Sequence, residues 1–191
     1  MALEIERRFL VRGSEWRRHI LWEARLEQGY LVAAADGLTV RVRRASGAVP
    51  GAWLTLKARA PQGAGSAGER LQGLGPDGLV RQEFQYPIPP GDAGALLALA
   101  PQQLSKWRYG LDLPGGDWVL DVFEGSNAPL VVAEVELQDP EQPVPIPACC
   151  VLELTGRPAL INAALAQHPL ADWPEHRRQQ LLSGDPAWAD A

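Results

Sequence analysis

The sequence predicts a mainly β protein with a few helices, in which most of the sheet is antiparallel. Two observations carry this prediction. Apolar and polar residues alternate with period two through successive segments, which is the spacing of strands with two different faces. The links between these segments are mostly short enough for hairpins. Such a pattern is typical of an antiparallel sheet or a barrel, and we expect residues 1–191 to form a single domain.

The predicted strands follow one another along the chain wherever the alternation is clear. They cover 3–11, 23–32, 37–45, 52–59, 79–88, 103–113, 117–125, 130–139 and 150–155. After the first strand Ser14 is a suitable N-cap for a short helix, and residues 91–100 suit a second helix. The proline-rich residues 140–147 form a rigid connector. Two C-terminal helices are predicted at 157–167 and 174–182, because each has a proline near its first turn.

The composition limits the classes of partner and compartment. A net charge of −5 over 191 residues is unfavourable for general nucleic-acid binding, which needs a basic face. The adjacent Cys149 and Cys150 form neither a disulfide framework nor a structural zinc site. No apolar run reaches the length of a membrane span, and no signal peptide precedes the first strand. We therefore expect a cytoplasmic protein with neither a nucleic-acid nor a membrane partner.

Charged residues lie two apart in strand after strand, so each set shares one face of its strand. The sets are Glu4, Glu6 and Arg8; Arg41 and Arg43; Arg81 and Glu83; Lys106 and Arg108; Glu134 and Glu136; Lys57 and Asp121 stand singly in similar strands. For any one strand a solvated face explains such alternation. For the whole set a closed barrel with a polar interior explains it better, because basic and acidic pairs are segregated by strand.

These residue types suit two kinds of ligand in one enclosed space. Burying an unpaired ion is costly, but cations, carboxylates and a charged ligand can offset one another. Arginine offers a planar fork of donors for phosphate oxygens, and paired carboxylates suit Mg²⁺ or Mn²⁺. An eight-stranded barrel is just wide enough for one small ligand. The pattern therefore indicates a phosphate chain that is bound together with a divalent metal ion.

The motifs also resemble one known family through most of the chain. The segment "EIERRFLV" is similar to the ExExK signature of the CYTH family, the triphosphate tunnel metalloenzymes. Further motifs follow in family order: "QGYL", "LTVRVRR", "WLTLKA", "RQEFQYPI", "SKWRYGL", "VLDVFEG" and "LVVAEVEL". The resemblance covers roughly residues 3 to 174. It implies an eight-stranded antiparallel closed β-barrel over about residues 3–156, with flanking helices that include C-terminal helices over about residues 158–183.

The resemblance further implies a role for each charged residue. The metal ion, Mg²⁺ or Mn²⁺, would be held by Glu4, Glu6, Glu134 and Glu136. The phosphate chain would be bound by Arg41, Arg43, Lys57, Arg81, Lys106 and Arg108. The residues acting at the reacting phosphate would be Arg8 and Tyr30, supported by Glu83 and Asp121. Glu153 matches a family glutamate whose role stays open between a salt bridge at the barrel closure and a functional contact.

Three positions depart from the family pattern. Arg8 stands where the signature has lysine, and arginine keeps the charge but does not easily lose its proton. A step that needs a neutral amine at this position is therefore excluded. Gln85 stands where an acidic residue is common, and Leu160 replaces a usual tyrosine before Asn162. The metal carboxylates and the basic pairs are all present, so we expect activity to be retained.

The function that the resemblance implies first is hydrolysis of inorganic triphosphate to diphosphate and phosphate, as in the bacterial inorganic triphosphatases. The partner would then be a small-molecule triphosphate. The same scaffold also supports a thiamine triphosphatase, a nucleoside triphosphatase or a class IV adenylate cyclase. A non-catalytic polyphosphate- or nucleotide-binding module is the alternative of a different class. The sequence does not decide the oligomeric state, and a homodimer is one possibility.

Overall fold

The computed structural model describes residues 5–34, 38–58, 82–139 and 142–190. The strands in these ranges are β1 (Ile5–Val11), β2 (Ile20–Ala33), β3 (Thr39–Gly47), β4 (Gly51–Ala58), β5 (Gln82–Pro87), β6 (Gln102–Leu111), β7 (Asp117–Phe123), β8 (Val131–Leu137) and β9 (Cys150–Glu153). The α-helices are α1 (Pro90–Leu99), α2 (Asn162–Gln167) and α3 (Glu175–Ser183). Short 3₁₀ helices lie at Glu15–His19, Gly125–Asn127, Pro158–Leu160, Leu170–Asp172 and Pro186–Asp190. Within these ranges every helix falls short of the length and apolar character that crossing a membrane requires.

The nine described strands join one antiparallel sheet in the order β5-β4-β3-β2-β6-β7-β8-β1-β9. The mainly antiparallel β fold is confirmed, but the closed eight-stranded barrel is wrong for the described part of the chain. Both edges of β1 are occupied, one by β8 and the other by the four-residue β9. Because β1 has no free edge for β5, the sheet stays open, with β5 and β9 as its two edge strands.

Strand boundaries follow the alternation, with one informative difference at β2. This strand begins at Ile20, earlier than predicted, because the helix before it is a short 3₁₀ turn that ends at His19. Ser14 occupies the N-cap position, but its side chain makes no capping hydrogen bond. The clearest strand, β8, has the sequence VVAEVEL, and its β-branched residues favour extended backbone. Residues 79–81 of the predicted fifth strand lie outside the described residues.

Alternation divides the side chains of the sheet between two faces. The face that carries Arg8, Arg41, Lys106, Asp121 and Glu134 is called the charged face, and the other is called the outer face. The outer face is covered by two elements that bury apolar side chains. The 3₁₀ helix at Glu15–His19 contributes Trp16 to a cluster with Phe9, Val11, Leu111, Trp118, Leu120, Ala133, Val135 and Leu137.

The second outer-face element is α1, which packs Ala93 and Leu97 against β3 and β4. Its C-terminal end approaches β2 so closely that a Cβ at Gly29 would lie 2.6 Å from the Ala100 Cβ. A side chain at Gly29 would therefore push α1 away from the sheet.

The segment after β9 packs against the charged face. Its leucines form a buried cluster with side chains of that face, namely Leu10, Tyr30, Leu104, Phe123 and Val132 with Leu154, Leu160, Leu165, Leu170 and Leu181. Full burial of one leucine contributes about 1.5–3 kcal/mol, so these contacts anchor the segment firmly. α3 ends at Gly184, whose φ of 76° is the left-handed conformation that favours glycine at a helix C-terminus. The C-terminal segment thus covers part of the charged face.

Candidate active site

Cross-strand register places oppositely charged side chains face to face on the charged face. Three such pairs are Arg8–Glu134, Arg108–Asp121 and Lys57–Glu83. Opposite charges at these positions stabilise a sheet, whereas like charges destabilise it. Glu136 departs from this pattern, because it lies directly opposite Glu6 on one side and opposite Asp117 on the other. Acidic residues therefore neighbour one another on this part of the charged face.

A continuous ion network joins five side chains, and it is called the central network: Lys106, Asp121, Arg108, Glu134 and Arg8. Asp121 accepts a hydrogen bond from Lys106 Nζ at 2.5 Å and two from Arg108, from Nε at 2.8 Å and Nη2 at 2.7 Å. Glu134 links the two arginines, since Oε2 accepts from Arg108 Nη2 at 2.7 Å and Oε1 accepts from Arg8 Nε at 3.0 Å. The side chains of Lys106 and Asp121 are 0% and 1% exposed.

Burial and mutual attraction compete within the central network. Burial lowers the pKa of Lys106 to about 8, although Asp121 opposes this shift. Burial works against the charge of Glu134, but Arg108 and Arg8 outweigh it and hold the pKa of Glu134 below its ordinary value. Burial likewise opposes the charge of Arg108, whose pKa is nevertheless raised by Asp121 and Glu134. Glu134 and Arg108 are therefore both charged at neutral pH.

A second group, called the β3–β5 cluster, consists of Arg41, Arg43, Lys57, Glu83 and Gln85. Arg41 Nη2 donates to Glu83 Oε1 at 3.3 Å, and Lys57 Nζ lies 2.8 Å from Glu83 Oε2. Arg43 Nη2 donates at 3.0 Å to Gln85, which is neutral. Burial, with Arg41 adding to it, lowers the pKa of Arg43 to about 10. Within the cluster three cations share a single carboxylate.

Three arginine nitrogens on the charged face are buried and have no hydrogen-bond partner among the described residues. They are Arg8 Nη2, Arg41 Nε and Arg43 Nε. A buried donor that is left unpaired costs about 1–3 kcal/mol, and more when it is charged. One nitrogen belongs to the central network and two belong to the β3–β5 cluster. This arrangement favours an anion with several oxygens, which can accept from both groups.

Tyr30 lies beneath these arginines, with 2% of its surface exposed. Its hydroxyl donates to Gln28 Oε1 at 3.2 Å, and burial raises its pKa to about 12. The phenol is therefore protonated at neutral pH. Gln28 was not among the predicted site residues, although its position two residues before Tyr30 places it on the same face.

One predicted residue is separated from the others. Glu153 on β9 accepts from Arg7 Nε at 2.9 Å and from Arg7 Nη2 at 2.7 Å. Because Arg7 alternates with Arg8, this pair lies on the outer face, where its side chains are 31% and 44% exposed. Of the two roles left open for Glu153, the structure shows the salt bridge. Glu4 and Arg81 lie outside the described residues, and their roles stay predictions.

Three further groups that contact the charged side chains were not predicted from the sequence. Thr55 Oγ1 accepts from Arg41 Nη2 at 3.1 Å, and its position in the alternation before Lys57 could have revealed it. The Leu160 carbonyl accepts from Arg8 Nη1 at 3.0 Å, and Asn162 Oδ1 accepts from Lys106 Nζ at 3.2 Å. No strand periodicity points to these last two, because they come from the C-terminal segment.

Comparison with known proteins agrees with this geometry. No protein-family model matches the chain. The chain is 29% identical over 181 residues to the inorganic triphosphatase of Acetivibrio thermocellus, covering 92% of this chain and 100% of the relative. It is 31% identical over 170 residues to the inorganic triphosphatase of Nitrosomonas europaea, covering 85% of this chain and 96% of the relative.

Two solved structures share the fold. The crystal structure of the inorganic triphosphatase NE1496 matches with a TM-score of 0.55 and 28% identity, over 87% of this chain and 95% of that one. HpAC1 from Hippeastrum, described as a candidate adenylyl cyclase with dominant triphosphatase activity, matches with a TM-score of 0.51 and 14% identity, over 72% of this chain and 81% of that one. The second likeness supports the fold alone.

The fold and the charged face define an antiparallel β protein that is organised to bind a polyanion. Because a relative of 31% identity is matched over 96% of its length, the family assignment is also secure. The chain belongs to the family of these inorganic triphosphatases, the CYTH or triphosphate tunnel metalloenzyme family. The resemblance seen in the motifs is thereby confirmed.

Proposed function

We propose that this protein is a metal-dependent triphosphatase that hydrolyses inorganic triphosphate to diphosphate and phosphate. One observation carries the proposal: three buried arginine nitrogens that have no partner among the described residues point to a polyanion on the charged face. The named activity of the relatives, inorganic triphosphatase, identifies which polyanion to test first. A linear triphosphate is a small molecule with oxygens along its whole length, so several arginines can bind it at once.

The phosphate chain would be bound between the two groups of cations. Arg41, Arg43 and Lys57 would contact it from the β3–β5 cluster, and Arg8 and Arg108 from the central network. Hydrogen bonds to charged groups contribute about 1.5–3 kcal/mol each. Lys106 is fully buried beside Asp121, so its charge would act on the substrate mainly through that carboxylate.

Catalysis in this site would rest on positioning and on neutralising charge, as is general for phosphoryl transfer. Tyr30, with a pKa of about 12, is protonated at neutral pH and therefore supplies no base. Arg8 and Tyr30 would stabilise charge that develops on the transferred or leaving phosphate. Glu134 is a weak base because two arginines lower its pKa, so it would position Arg8 and Arg108 and contribute to the metal site without accepting a proton.

The residues present fit a hard divalent cation. Glu6 and Glu136 lie opposite each other, and paired carboxylates are ligands that a hard divalent cation prefers. Among the described residues no three acidic, histidine or cysteine side chains gather as a ligand set. We infer that Glu4, Glu134 and phosphate oxygens complete the set around Mg²⁺ or Mn²⁺. When bound, the ion would neutralise charge on the phosphoryl oxygens.

A phosphate-release screen tests this proposal. Tripolyphosphate, ATP, thiamine triphosphate and long-chain polyphosphate are each assayed with Mg²⁺, with Mn²⁺ and with a chelator. We expect tripolyphosphate to give the highest kcat/KM and the chelator to abolish turnover. A clear preference for ATP or thiamine triphosphate would assign the protein to another activity of the scaffold. Tight binding of tripolyphosphate without turnover under either metal would identify a non-catalytic binding module.

The assembly of the protein is a separate proposal. A homodimer stays a prediction, as does the cytoplasmic location. Size-exclusion chromatography with light scattering decides between a monomer and a dimer, and it can be repeated with tripolyphosphate present.

A further inference from the structure

The segment after β9 contacts both ends of the central network. At one end, Arg8 donates through Nη1 to the Leu160 carbonyl at 3.0 Å and through its backbone N–H to Thr155 Oγ1 at 3.1 Å. At the other end, Lys106 Nζ donates to Asn162 Oδ1 at 3.2 Å. The same segment that fills the hydrophobic core therefore also holds charged groups of the candidate active site.

The contact between Asn162 and Lys106 has a specific chemical role. Lys106 is fully buried, and its ammonium lies 5.1 Å from the centroid of the Phe123 ring. A buried ammonium needs acceptors for its protons, because it has lost its water. Asp121 provides one acceptor, and Asn162 provides a second. The charge of Asp121 thus stays available to Arg108.

We propose that Asn162 is a positioning residue for triphosphate hydrolysis, acting through Lys106 and Asp121 on Arg108. This inference rests on the proposed function. Two acceptors fix the Lys106 ammonium, and the ammonium in turn fixes Asp121, which accepts from both Nε and Nη2 of Arg108. Asp121 Oδ2 accepts from both Lys106 Nζ and Arg108 Nη2, and without the Asn162 oxygen the ammonium would draw this carboxylate oxygen further away from Arg108. The Arg108 guanidinium then loses its alignment toward Glu134 and the phosphate chain.

A second asparagine in the same region provides a matched control. Asn127 is buried, its Nδ2 donates to the Leu165 carbonyl at 3.0 Å, and its Oδ1 accepts from the Leu170 N–H at 2.9 Å. Like Asn162, it therefore joins the C-terminal segment to the rest of the protein by side-chain hydrogen bonds. Its hydrogen bonds go to backbone groups of that segment, outside the central network.

The test compares phosphate release from tripolyphosphate by the wild type and by Asn162→Leu, Asn162→Asp and Asn127→Ala at a temperature where each is folded. Leucine matches asparagine in size but has no acceptor, whereas aspartate keeps an oxygen for Lys106. We expect Asn162→Leu to lower kcat at least about tenfold, and Asn162→Asp to stay within about threefold of the wild type. Asn127→Ala should lower the melting temperature and leave kcat of the folded protein unchanged.

A double-mutant cycle with Lys106→Met shows whether Asn162 acts through the lysine. Lys106→Met and Lys106→Met/Asn162→Leu should have equal kcat, and this pair stays informative if Asn162→Leu alone does not fold. The inference is overturned if Asn162→Leu keeps its kcat, if aspartate fails to rescue it, if Asn127→Ala loses as much, or if Asn162→Leu lowers kcat further in the Lys106→Met background. Wild-type protein that releases no phosphate would contradict the proposed function instead.

Discussion

Two neighbouring residues of β1 make the same kind of contact in opposite settings. Arg7 pairs with Glu153 on the outer face, where the two side chains are 31% and 44% exposed. Arg8 pairs with Glu134 on the charged face, where they are 6% and 10% exposed. Arg7 donates to its glutamate through two nitrogens. Arg8 donates to its glutamate through one nitrogen and to the Leu160 carbonyl through another, and its Nη2 has no partner in the part of the chain that the structure describes.

The two salt bridges differ in burial and in how completely their arginine donors are used. The exposed pair is satisfied and screened by water, and such pairs contribute about 0.2–1 kcal/mol. The buried pair is costly to desolvate and still keeps an unused donor. A protein would gain little stability from such an arrangement, so the buried pair is better explained by a ligand that completes it. The pair on the outer face is thus explained by stability alone, whereas the pair on the charged face agrees with the proposed substrate site.

The largest expected difference in activity between the two faces concerns the carboxylates of the proposed metal site. Glu6→Gln removes a charge opposite Glu136 and should lower kcat by about a thousandfold or more, because the ion that neutralises the phosphoryl oxygens is no longer held. Circular dichroism should show an intact fold. Glu153→Gln is the matched control and should retain the wild-type rate. Strong activity in Glu6→Gln would remove this residue from the metal site.

The next contrast uses the two arginines themselves. Arg8→Ala should lower kcat/KM for tripolyphosphate by about a hundredfold, since it removes a buried donor aimed at the phosphate chain. Arg7→Ala should leave kcat/KM unchanged and lower the unfolding free energy by about 0.2–1 kcal/mol. Steady-state kinetics and urea denaturation measure the two effects. Equal losses of activity in both variants would mean that the two faces do not differ in function.

A smaller contrast is expected on β3, where Arg43 and Arg44 also point to opposite faces. Arg43→Gln removes one of the unpaired donors and should raise KM for tripolyphosphate about tenfold, the equivalent of about 1.4 kcal/mol. Arg44 pairs with Glu27 on the outer face, so Arg44→Gln should leave KM unchanged. A rise in KM that is as large for Arg44→Gln would show that bulk charge, and not the face, controls binding.

The smallest contrast concerns acid stability. In the folded state the pKa of Glu134 lies below its ordinary value of 4.5, so below that pH the unfolded chain binds more protons than the folded one. The stabilisation from Glu134 is therefore present above pH 4.5 and is lost as the pH falls, by about 1.4 kcal/mol per pH unit. Urea denaturation from pH 6 to about pH 3 should show a flatter profile for Glu134→Gln than for the wild type. Glu153→Gln should flatten it less, because that pair is more exposed.

The membership of the charged face could be predicted from the sequence because it is a local property. Residues two apart in a strand share a face, and this alone groups Arg41 with Arg43, Lys106 with Arg108, and Glu134 with Glu136. Most strands were predicted nearly within their observed limits for the same reason, although β2 begins three residues earlier than predicted. The helix predicted at 157–167 is α-helical only over Asn162–Gln167 and is preceded by a 3₁₀ turn. Local alternation could not assign Glu153 to a face of the sheet, because its face depends on how β9 pairs with β1.

The closure of the sheet and the contribution of the C-terminal segment could not be predicted in this way. Whether a sheet closes depends on which strand takes the free edge of β1, and that choice is made between distant parts of the chain. A backbone carbonyl such as that of Leu160 has no signature in the sequence, because every residue has one. Asn162 lies at the start of a helix, where an asparagine is unremarkable on sequence grounds alone.

The most direct test of the central claim is a crystal structure of the protein with tripolyphosphate and Mn²⁺. We predict phosphate oxygens within about 3.2 Å of Arg8 Nη2, Arg41 Nε and Arg43 Nε, with manganese density beside Glu6 and Glu136. Tripolyphosphate bound on the outer face, or a charged face on which these three nitrogens stay unpaired while substrate is bound elsewhere, would contradict the account.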